Sequence, residues 1–480
     1  MTLRLADAPR VAAGAGAQGV TAALVCEAAP AVAQRLAALL DNWQVLKAVD
    51  GVVVATGSIR GTDVLAFATD PLRQGGALGV DGCRAIAALT DHAVAHGLPI
   101  VGIWQSGGAR LREGVDALDA VARVFAAQTR ASGRVPQLSV VLGAAAGGAA
   151  YGPALTDIVI MGPAGRLFVT GPDVVRKVTG EVVDADRLGG PATHARSGVA
   201  HLLAATDDEA LSSARRLVSL LCDQRVVDPH AGAGPDPGPL VPREQRRSYD
   251  ARPVIRALLD PGSVVELHAD WGRNAVTALG RLGGRTVGVV ANDPQHLAGC
   301  LDAVTGDKTG RFVQFCSSFG IALVFLVDVP GYLPGLAQED NGVVRRGAKL
   351  LHAYAAAQVP RLTVVLRKSF GGGFIAMGSK GLGADRVFAW AGAQVDTMGA
   401  EAAVEILHRK ELAAVRDPLD RETLVLSLAA QHRATTGGLS RALASGAIDA
   451  VIEPHETRQV LLSALATLPD RRGSHANGPL

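Results

Sequence analysis

Two glycine pairs each follow, after four residues, an apolar run that has the composition of a buried strand. Gly147-Gly148 follows Leu138–Leu142, and Gly371-Gly372 follows Leu362–Leu366. Because glycine has no Cβ, a substrate oxygen can approach the backbone N–H groups of such a turn, and a helix start there favours negative charge. N–H donors held in this way form an oxyanion hole. One such turn is more often a place of close helix–strand packing, but two at matching positions favour a site that stabilises two oxyanions.

Other arrangements of catalytic side chains are missing from the sequence. Ser106 lies in a QSGG segment and not in the GxSxG turn of a hydrolase. No GxxxxGK[ST] phosphate loop is present, and the single GxGxxG, at 14–19, follows no strand pattern. The five cysteines contain no CxxC pair, which predicts neither a disulfide framework nor a metal site and fits a reducing, cytoplasmic location.

The sequence repeats itself, and the repeat includes both glycine pairs. Val135–Leu142 (VPQLSVVL) aligns with Val359–Leu366 (VPRLTVVL) at an offset of 224 residues, and the same offset places Gly147-Gly148 opposite Gly371-Gly372. Between the halves, the proline- and glycine-rich stretch Asp228–Glu244 has the composition of a linker. We therefore predict an N-terminal domain over 1–235, with a variable, loose or partly helical extension at 1–40, and a C-terminal domain over 236–480.

Apolar runs and helical patterns alternate in both halves, which predicts an α/β fold with buried, mostly parallel strands. The predicted strands are Leu98–Trp104, Leu138–Leu142, Ile158–Met161, Leu323–Val329, Leu362–Leu366 and Val387–Trp390, and the predicted helices are Asp116–Arg130, Asn341–Gln358 and Ala400–Leu412.

Composition excludes several classes of protein. At 480 residues the chain is too long for one core, and its 48% hydrophobic content excludes a disordered chain. A formal net charge of +2 without a basic stripe argues against nucleic acid as a partner. The uncharged stretch Val135–Thr156 is interrupted by prolines and glycines, so we expect a buried strand and turn there and no membrane span.

Five segments carry a resemblance to a known family: IWQSGGARLREG at 103–114, AGGAAYGPA at 146–154, FVTGPDVV at 168–175, VDVPGYLPG at 327–335 and RRGAKLL at 345–351. They resemble carboxyltransferase β subunits of biotin-dependent acyl-CoA carboxylases, most of all the actinobacterial acetyl- and propionyl-CoA carboxylase group. The resemblance spans about residues 45–470. It implies two tandem crotonase-like (ClpP/crotonase) domains, related by internal duplication, that transfer a carboxyl group from carboxybiotin to the α-carbon of acetyl-CoA or propionyl-CoA. The malonyl-CoA or methylmalonyl-CoA formed would feed fatty-acid, mycolate or polyketide synthesis.

The resemblance also implies site residues and partners. The oxyanion holes would be formed by Gly147 and Gly148 for the acyl-CoA and by Gly372 and Gly373 for biotin, whereas the internal offset selects Gly371 and Gly372 for the second pair. The residues implied to bind the acyl-CoA are Gly107, Gly108, Ala109, Arg110 and Ala146. Those implied to line the biotin and acyl pocket are Gly331, Tyr332, Gly371, Phe374 and Ile375. Ile375, where propionyl-CoA enzymes tend to have Asp, implies good use of acetyl-CoA.

The chain lacks a biotin-accepting Met-Lys-Met segment, so carboxybiotin would come from a separate biotin carboxylase and carboxyl carrier α subunit, with a small ε subunit as a further partner. The resemblance implies a homohexamer, a trimer of dimers, whose active sites form between the N-terminal domain of one subunit and the C-terminal domain of its dimer mate. The family pattern is broken at Asp340, Asn341, Asp396 and Thr397 and around Lys308. Two alternatives stay open: a biotin-independent crotonase-fold acyl-CoA enzyme using Glu113 or Asp157 as its base, and a non-catalytic scaffold of a carboxylase complex.

Overall fold

The computed structural model describes Val25, Glu27 and residues 29–435 and 438–478. It divides into two compact units, one of Met1–Asp223 with Ser474–Pro479 and the other of Gln224–Gly473. The boundary that we place between residues 235 and 236 remains a prediction. The GxGxxG at 14–19 and most of the expected N-terminal extension lie outside the described residues.

The first unit is built on an eight-stranded sheet in the order β1-β2-β3-β4-β5-β6-β8, with β7 paired to β5. Its strands are β1 (Trp43–Val49), β2 (Val52–Ile59), β3 (Thr62–Thr69), β4 (Ile100–Ser106), β5 (Gln137–Ala146), β6 (Ile158–Met161), β7 (Arg166–Phe168) and β8 (Leu202–Leu203). Its helices are α1 (Pro30–Leu39), α2 (Val80–His96), α3 (Gly114–Ala131), α4 (Gly148–Ala154), α5 (Pro172–Thr179), α6 (Ala185–Gly189), α7 (Pro191–Ser197) and α8 (Asp207–Cys222).

The second unit repeats this plan, with an eight-stranded sheet in the order β16-β14-β13-β12-β11-β10-β9 and β15 paired to β13. Its strands are β9 (Val265–Leu267), β10 (Ala275–Leu282), β11 (Arg285–Asn292), β12 (Ala322–Val329), β13 (Arg361–Phe370), β14 (Arg386–Trp390), β15 (Gln394–Asp396) and β16 (Ala450–Ile452). Its helices are α9 (Ala251–Leu258), α10 (Ala303–Ser318), α11 (Leu336–Asp340), α12 (Val343–Ala356), α13 (Gly371–Ala376), α14 (Ala400–Leu407), α15 (Arg409–Ala414), α16 (Pro418–Thr435), α17 (Leu439–Ala444) and α18 (Thr457–Thr467).

The strand pairing is the same in both units, which confirms the α/β class and the internal duplication. In each sheet the first three strands run antiparallel and the remaining pairs are parallel. The central strands are buried on both faces, as an apolar run without alternation predicts. The stretch Val135–Thr156 is strand, turn and helix, as expected, and no helix in the described ranges has the length and apolar character needed to cross a membrane.

Two details differ from expectation. The helix predicted over Ala400–Leu412 is two helices, α14 and α15, which meet at His408. Lys308 is buried in α10, where its ammonium group donates to the backbone carbonyls of His268, Trp271 and Ala275 at 2.6–2.9 Å and to that of Gly272 at 3.3 Å. Lys308 therefore fixes the loop between β9 and β10 to the helix.

Candidate functional site

The first glycine turn joins β5 to α4. Gly147 has φ +56° and ψ −128°, a backbone conformation that glycine alone adopts without strain. Its N–H donates to the Phe168 carbonyl in β7 at 3.1 Å. The next N–H, that of Gly148, is in the first turn of α4 and so has no acceptor within its own helix. The half-buried Gly148 therefore offers the N–H donor of this turn, with Gly147 setting its direction.

The loop after β4 lies against this turn. Gly108 has φ +100°, and a Cβ at that position would lie 2.8 Å from the Ala146 carbonyl oxygen. Ala109 pairs with Leu78 in a parallel bridge, and the Gly107 N–H donates to the Gly75 carbonyl at 2.9 Å. The structure thus brings the predicted acyl-CoA residues of this loop together with Ala146 and Gly147.

Arg110, in the same loop, is held by carboxylates. Its guanidinium contacts the carboxylate of Asp50 and that of Glu113, the latter at 2.8 Å, and donates to the Asp50 carbonyl at 3.0 Å. The Val80 N–H and the Arg110 guanidinium hold the pKa of Glu113 below its usual range. Arg110 therefore fixes the loop, and a contact from Arg110 to CoA remains a prediction.

The two carboxylates that we considered as bases are both engaged in structural contacts. Glu113 accepts from the Val80 N–H at 2.6 Å in addition to its ion pair. Asp157 is buried and accepts from the Gln137 N–H at 2.9 Å and from the side-chain amide of Asn477 at 2.6 Å. Neither is poised to take a proton from a substrate, which argues against the biotin-independent alternative.

The second glycine turn joins β13 to α13 and repeats the first. Gly371 has φ +53°, within 3° of Gly147, and both glycines end the strand that carries them. This conformation pairs Gly147 with Gly371 and Gly148 with Gly372, so the internal offset of 224 gives the structural equivalence. Gly372 is exposed whereas Gly373 is buried against the Val329 side chain. Gly372 is therefore the counterpart of Gly148.

Tyr332 and Gly331 stand beside the second turn as Ala109 and Gly108 stand beside the first. Gly331 has φ +136°, and Tyr332 forms a parallel bridge with Leu301. A Cβ on Gly372 would lie 3.1 Å from the Tyr332 ring. The Tyr332 hydroxyl is buried and has no hydrogen-bond partner among the residues that the structure describes, and burial raises its pKa to about 12. The predicted pocket residues Gly331, Tyr332 and Gly371 therefore come together.

Phe374 and Ile375 follow in the first turns of α13. Phe374 is half-buried, and the Ile375 side chain is 47% exposed. Tyr151, the residue of α4 at the equivalent position, is 49% exposed. Ile375 is thus an accessible apolar side chain three residues after Gly372.

Large apolar side chains are exposed in both units. In the first unit they include Leu111, Val115, Leu118, Val169, Val174 and Val178, and in the second unit Leu336, Val344, Met398, Ile406 and Leu407. Val169 directly follows the residue that accepts from Gly147, and Met398 lies next to Thr397, whose carbonyl abuts Gly371. Val169 and Met398 therefore place exposed apolar side chains beside both turns, as interaction sites often do.

The sequence reasoning missed a pair of left-handed turns that support the loops beside each glycine turn. Gln74, Gly75 and Gly76 have φ of 51–73°, and Leu297, Ala298 and Gly299 have φ of 48–77°. Gly75 and Gly76 indicate a left-handed backbone in the first of these turns. Nothing in the sequence indicates the left-handed backbone conformation of Leu297 in the second. In the described part of the chain, no cluster of His, Cys, Asp and Glu side chains could hold a metal ion.

Comparisons with known proteins agree with this geometry. The sequence model of the carboxyl transferase domain matches residues 31–475. The chain is 54% identical over 434 residues to the biotin-dependent acetyl-/propionyl-coenzyme A carboxylase beta6 subunit of Mycobacterium tuberculosis, covering 90% of this chain and 92% of that protein. It is 52% identical over 437 residues to the propionyl-CoA carboxylase beta chain of Rhodococcus erythropolis, with 90% and 91% covered.

Among known structures, the fold matches the transcarboxylase 12S hexamer crystallised with methylmalonyl-coenzyme A and methylmalonic acid. The TM-score is 0.87 at 39% identity, over 94% of this chain and 92% of that one.

Proposed function

The chain belongs to the carboxyl transferase domain family, and from that premise we propose that it moves a carboxyl group from carboxybiotin, borne by a separate carrier subunit, to the α-carbon of acetyl-CoA or propionyl-CoA. The observation that carries the proposal is the pair of matched glycine turns. Carboxyl transfer of this kind places negative charge on two oxygens, and the chain repeats one N–H-donating turn at two places.

The first turn serves the acyl-CoA. Removing the α-proton places negative charge on the thioester oxygen, and the Gly148 N–H is the donor aimed at it, because the Gly147 N–H is already bound by Phe168. The Gly107–Ala109 loop forms the adjoining wall. The loss of one such donor costs about 10²–10³ in rate in comparable sites.

The second turn serves biotin, and three features of the structure fit that group. Gly372 is exposed, the Tyr332 ring leaves no room for a Cβ there without a shift, and the buried Tyr332 hydroxyl is without a partner in the described residues. When bound, carboxybiotin supplies the carboxyl group, and its ring supplies the base. Gly372 and Tyr332 would hold and orient it, while Gly371 sets the direction of the Gly372 N–H.

The chain therefore needs no catalytic acid or base of its own. This agrees with the engagement of Glu113 and Asp157 in structural hydrogen bonds. The work left to the chain is to orient two substrates and to stabilise charge.

A second copy of the chain would complete the site. An exposed apolar side chain lies beside the turn in each unit, Val169 in the first and Met398 in the second, and an interface between the first unit of one copy and the second unit of another would cover both. We propose a hexamer built from such dimers, working with a biotin carboxylase and carrier α subunit and a small ε subunit. The four cysteines free within the described residues fit a reducing compartment, the cytoplasm.

One experiment tests the proposal. Purified protein is mixed with chemically prepared carboxybiotin and acetyl-CoA or propionyl-CoA, and the products are identified by mass spectrometry. We expect malonyl-CoA and methylmalonyl-CoA, formed only when carboxybiotin is present. Hydrolysis, hydration or decarboxylation without biotin would support a biotin-independent enzyme, and no turnover in any mixture would support a scaffold.

A further inference from the structure

Each glycine turn is braced by a strand of three residues. β7 pairs with β5 at the three residues before Gly147, and β15 pairs with β13 at the three residues before Gly371. The last carbonyl of β7, that of Phe168, accepts from the Gly147 N–H. In the second unit the residue after the short strand makes the close contact, because a Cβ on Gly371 would lie 2.9 Å from the Thr397 carbonyl oxygen. The position of each short strand therefore sets the position of its turn.

A histidine holds β7 in place. His194, in α7, lies with Nε2 2.6 Å from the Leu167 carbonyl oxygen. Since a carbonyl only accepts, Nε2 carries the proton and donates. Nδ1 lies 3.3 Å from the Ser197 hydroxyl oxygen, which fixes the ring from its other side. Leu167 is the central residue of β7, so this bond ties a helix outside the sheet to the strand that binds Gly147.

A histidine also holds β15. His432, in α16, lies with Nε2 3.4 Å from Asp396 Oδ2, and the two side chains are 13% and 10% exposed. The other oxygen of Asp396 accepts from the Thr397 N–H at 2.6 Å and from the Thr397 hydroxyl at 3.2 Å. Asp396 therefore links His432 to Thr397, whose carbonyl packs against Gly371.

We propose that His194 and His432 are matched positioning residues, each of which contacts through Nε2 the short strand that braces one glycine turn. Neither touches a substrate. His194 holds the turn of Gly148 and His432 holds the turn of Gly372. On the basis of the proposed function, the loss of either histidine should raise the KM for one substrate and leave the KM for the other unchanged. The contact differs, a hydrogen bond to a carbonyl in β7 and a 3.4 Å approach to a carboxylate in β15, but in both units histidine Nε2 makes it and the equivalent short strand receives it.

The first test needs no substrate. Hydrogen–deuterium exchange is measured on His194→Leu, His194→Gln, His432→Leu and His432→Gln, because the glutamine amide places an N–H donor close to the position of histidine Nε2. We expect His194→Leu to raise exchange only around 145–149 and 166–170, and His432→Leu only around 369–373 and 394–398. Both glutamine variants should stay near the wild-type rates. Unchanged exchange in the leucine variants, a rise spread over the whole chain, or no rescue by glutamine would overturn the proposal.

The second test is kinetic and uses the reverse reaction, in which malonyl-CoA donates its carboxyl group to free biotin and acetyl-CoA forms. A misplacement of about 1 Å costs about 10²-fold in rate, so the leucine variants should lose ten- to a hundredfold in kcat. His194→Leu should raise the KM for malonyl-CoA and His432→Leu the KM for biotin, with the other KM unchanged in each case. Equal changes in both KM values would contradict the inference. An inactive wild-type protein would instead refute the proposed function, and the exchange rates would still decide the positioning roles.

Discussion

Gly148 packs against the buried side chain of Val121, so a side chain added at Gly148 would shift the first turn, and the effect on activity can be measured. A Cβ at Gly148 would lie 3.0 Å from Val121 Cγ1, whereas carbon atoms in contact prefer about 3.5–4.0 Å. Val121 is 4% exposed in α3 and cannot retreat into solvent. The added methyl group of Gly148→Ala must therefore displace the turn or Val121 by a few tenths of an ångström. It would do so by pushing against α3, so the loss of activity comes from moving the Gly148 N–H and not from filling the place of the substrate oxygen.

A shift of about 1 Å is worth about 10²-fold, or about 2.7 kcal/mol of transition-state stabilisation, and a shift of a few tenths of an ångström is worth correspondingly less. We expect Gly148→Ala to lower kcat by about three- to tenfold, and Gly148→Val to abolish transfer, with both proteins folded. The double variant Gly148→Ala/Val121→Ala removes the obstructing Cγ1 and should recover most of the loss, a coupling that neither single variant shows. Gly381→Ala is the control, because a Cβ there meets nothing within 4 Å. Full activity in Gly148→Ala, or a double variant no better than the single one, would refute the reasoning.

Three further predictions concern substrate choice, the missing subunit and pH. Ile375→Asp should shift the ratio of kcat/KM values toward propionyl-CoA by about ten- to a hundredfold, which is the discrimination that one methylene group provides. An unchanged ratio would show that Ile375 does not determine the choice of acyl group. The chain alone, given ATP and bicarbonate, should carboxylate nothing until a biotinylated partner subunit is added; ATP-dependent carboxylation by the purified chain would contradict this. The Val80 N–H and Arg110 lower the pKa of Glu113 in the folded protein. The Glu113 carboxylate therefore stabilises the fold at pH above its unfolded-state pKa of about 4.3, and this stabilisation is lost as the pH falls through its folded-state pKa. Thermal unfolding of Glu113→Gln should therefore depend less on pH than wild type below about pH 5, and identical curves would be the negative result.

The arrangement of strands around the turns could be predicted because it depends on local patterns. The predicted strand Ile158–Met161 has the bounds that the structure shows, and the Val-Pro start and the glycine pair locate the repeat from the sequence alone. An uninterrupted apolar run marks a strand buried on both faces, and Gly147 marks a backbone conformation that other residues avoid.

The contacts that hold the turns could not be predicted because they join distant parts of the chain. His432 and Asp396 are 36 residues apart, and α14, α15 and most of α16 lie between them in the sequence. The break at His408 has the same origin, since helical periodicity does not report where tertiary packing ends a helix. The departure at Asp396 was visible in the sequence, but its partner was not.

A mixture of two inactive variants tests the central claim most directly. Gly148→Val inactivates the N–H donor of the first turn, and Gly372→Val inactivates that of the second. Neither variant alone should transfer a carboxyl group. If each site combines the first unit of one copy with the second unit of its mate, subunits dissociated and reassembled at equal amounts should regain about a quarter of wild-type activity, since half of the randomly formed dimers carry one intact site of two. Activity that stays at the level of the separate variants, in mixtures shown by mass to contain mixed dimers, would contradict the account.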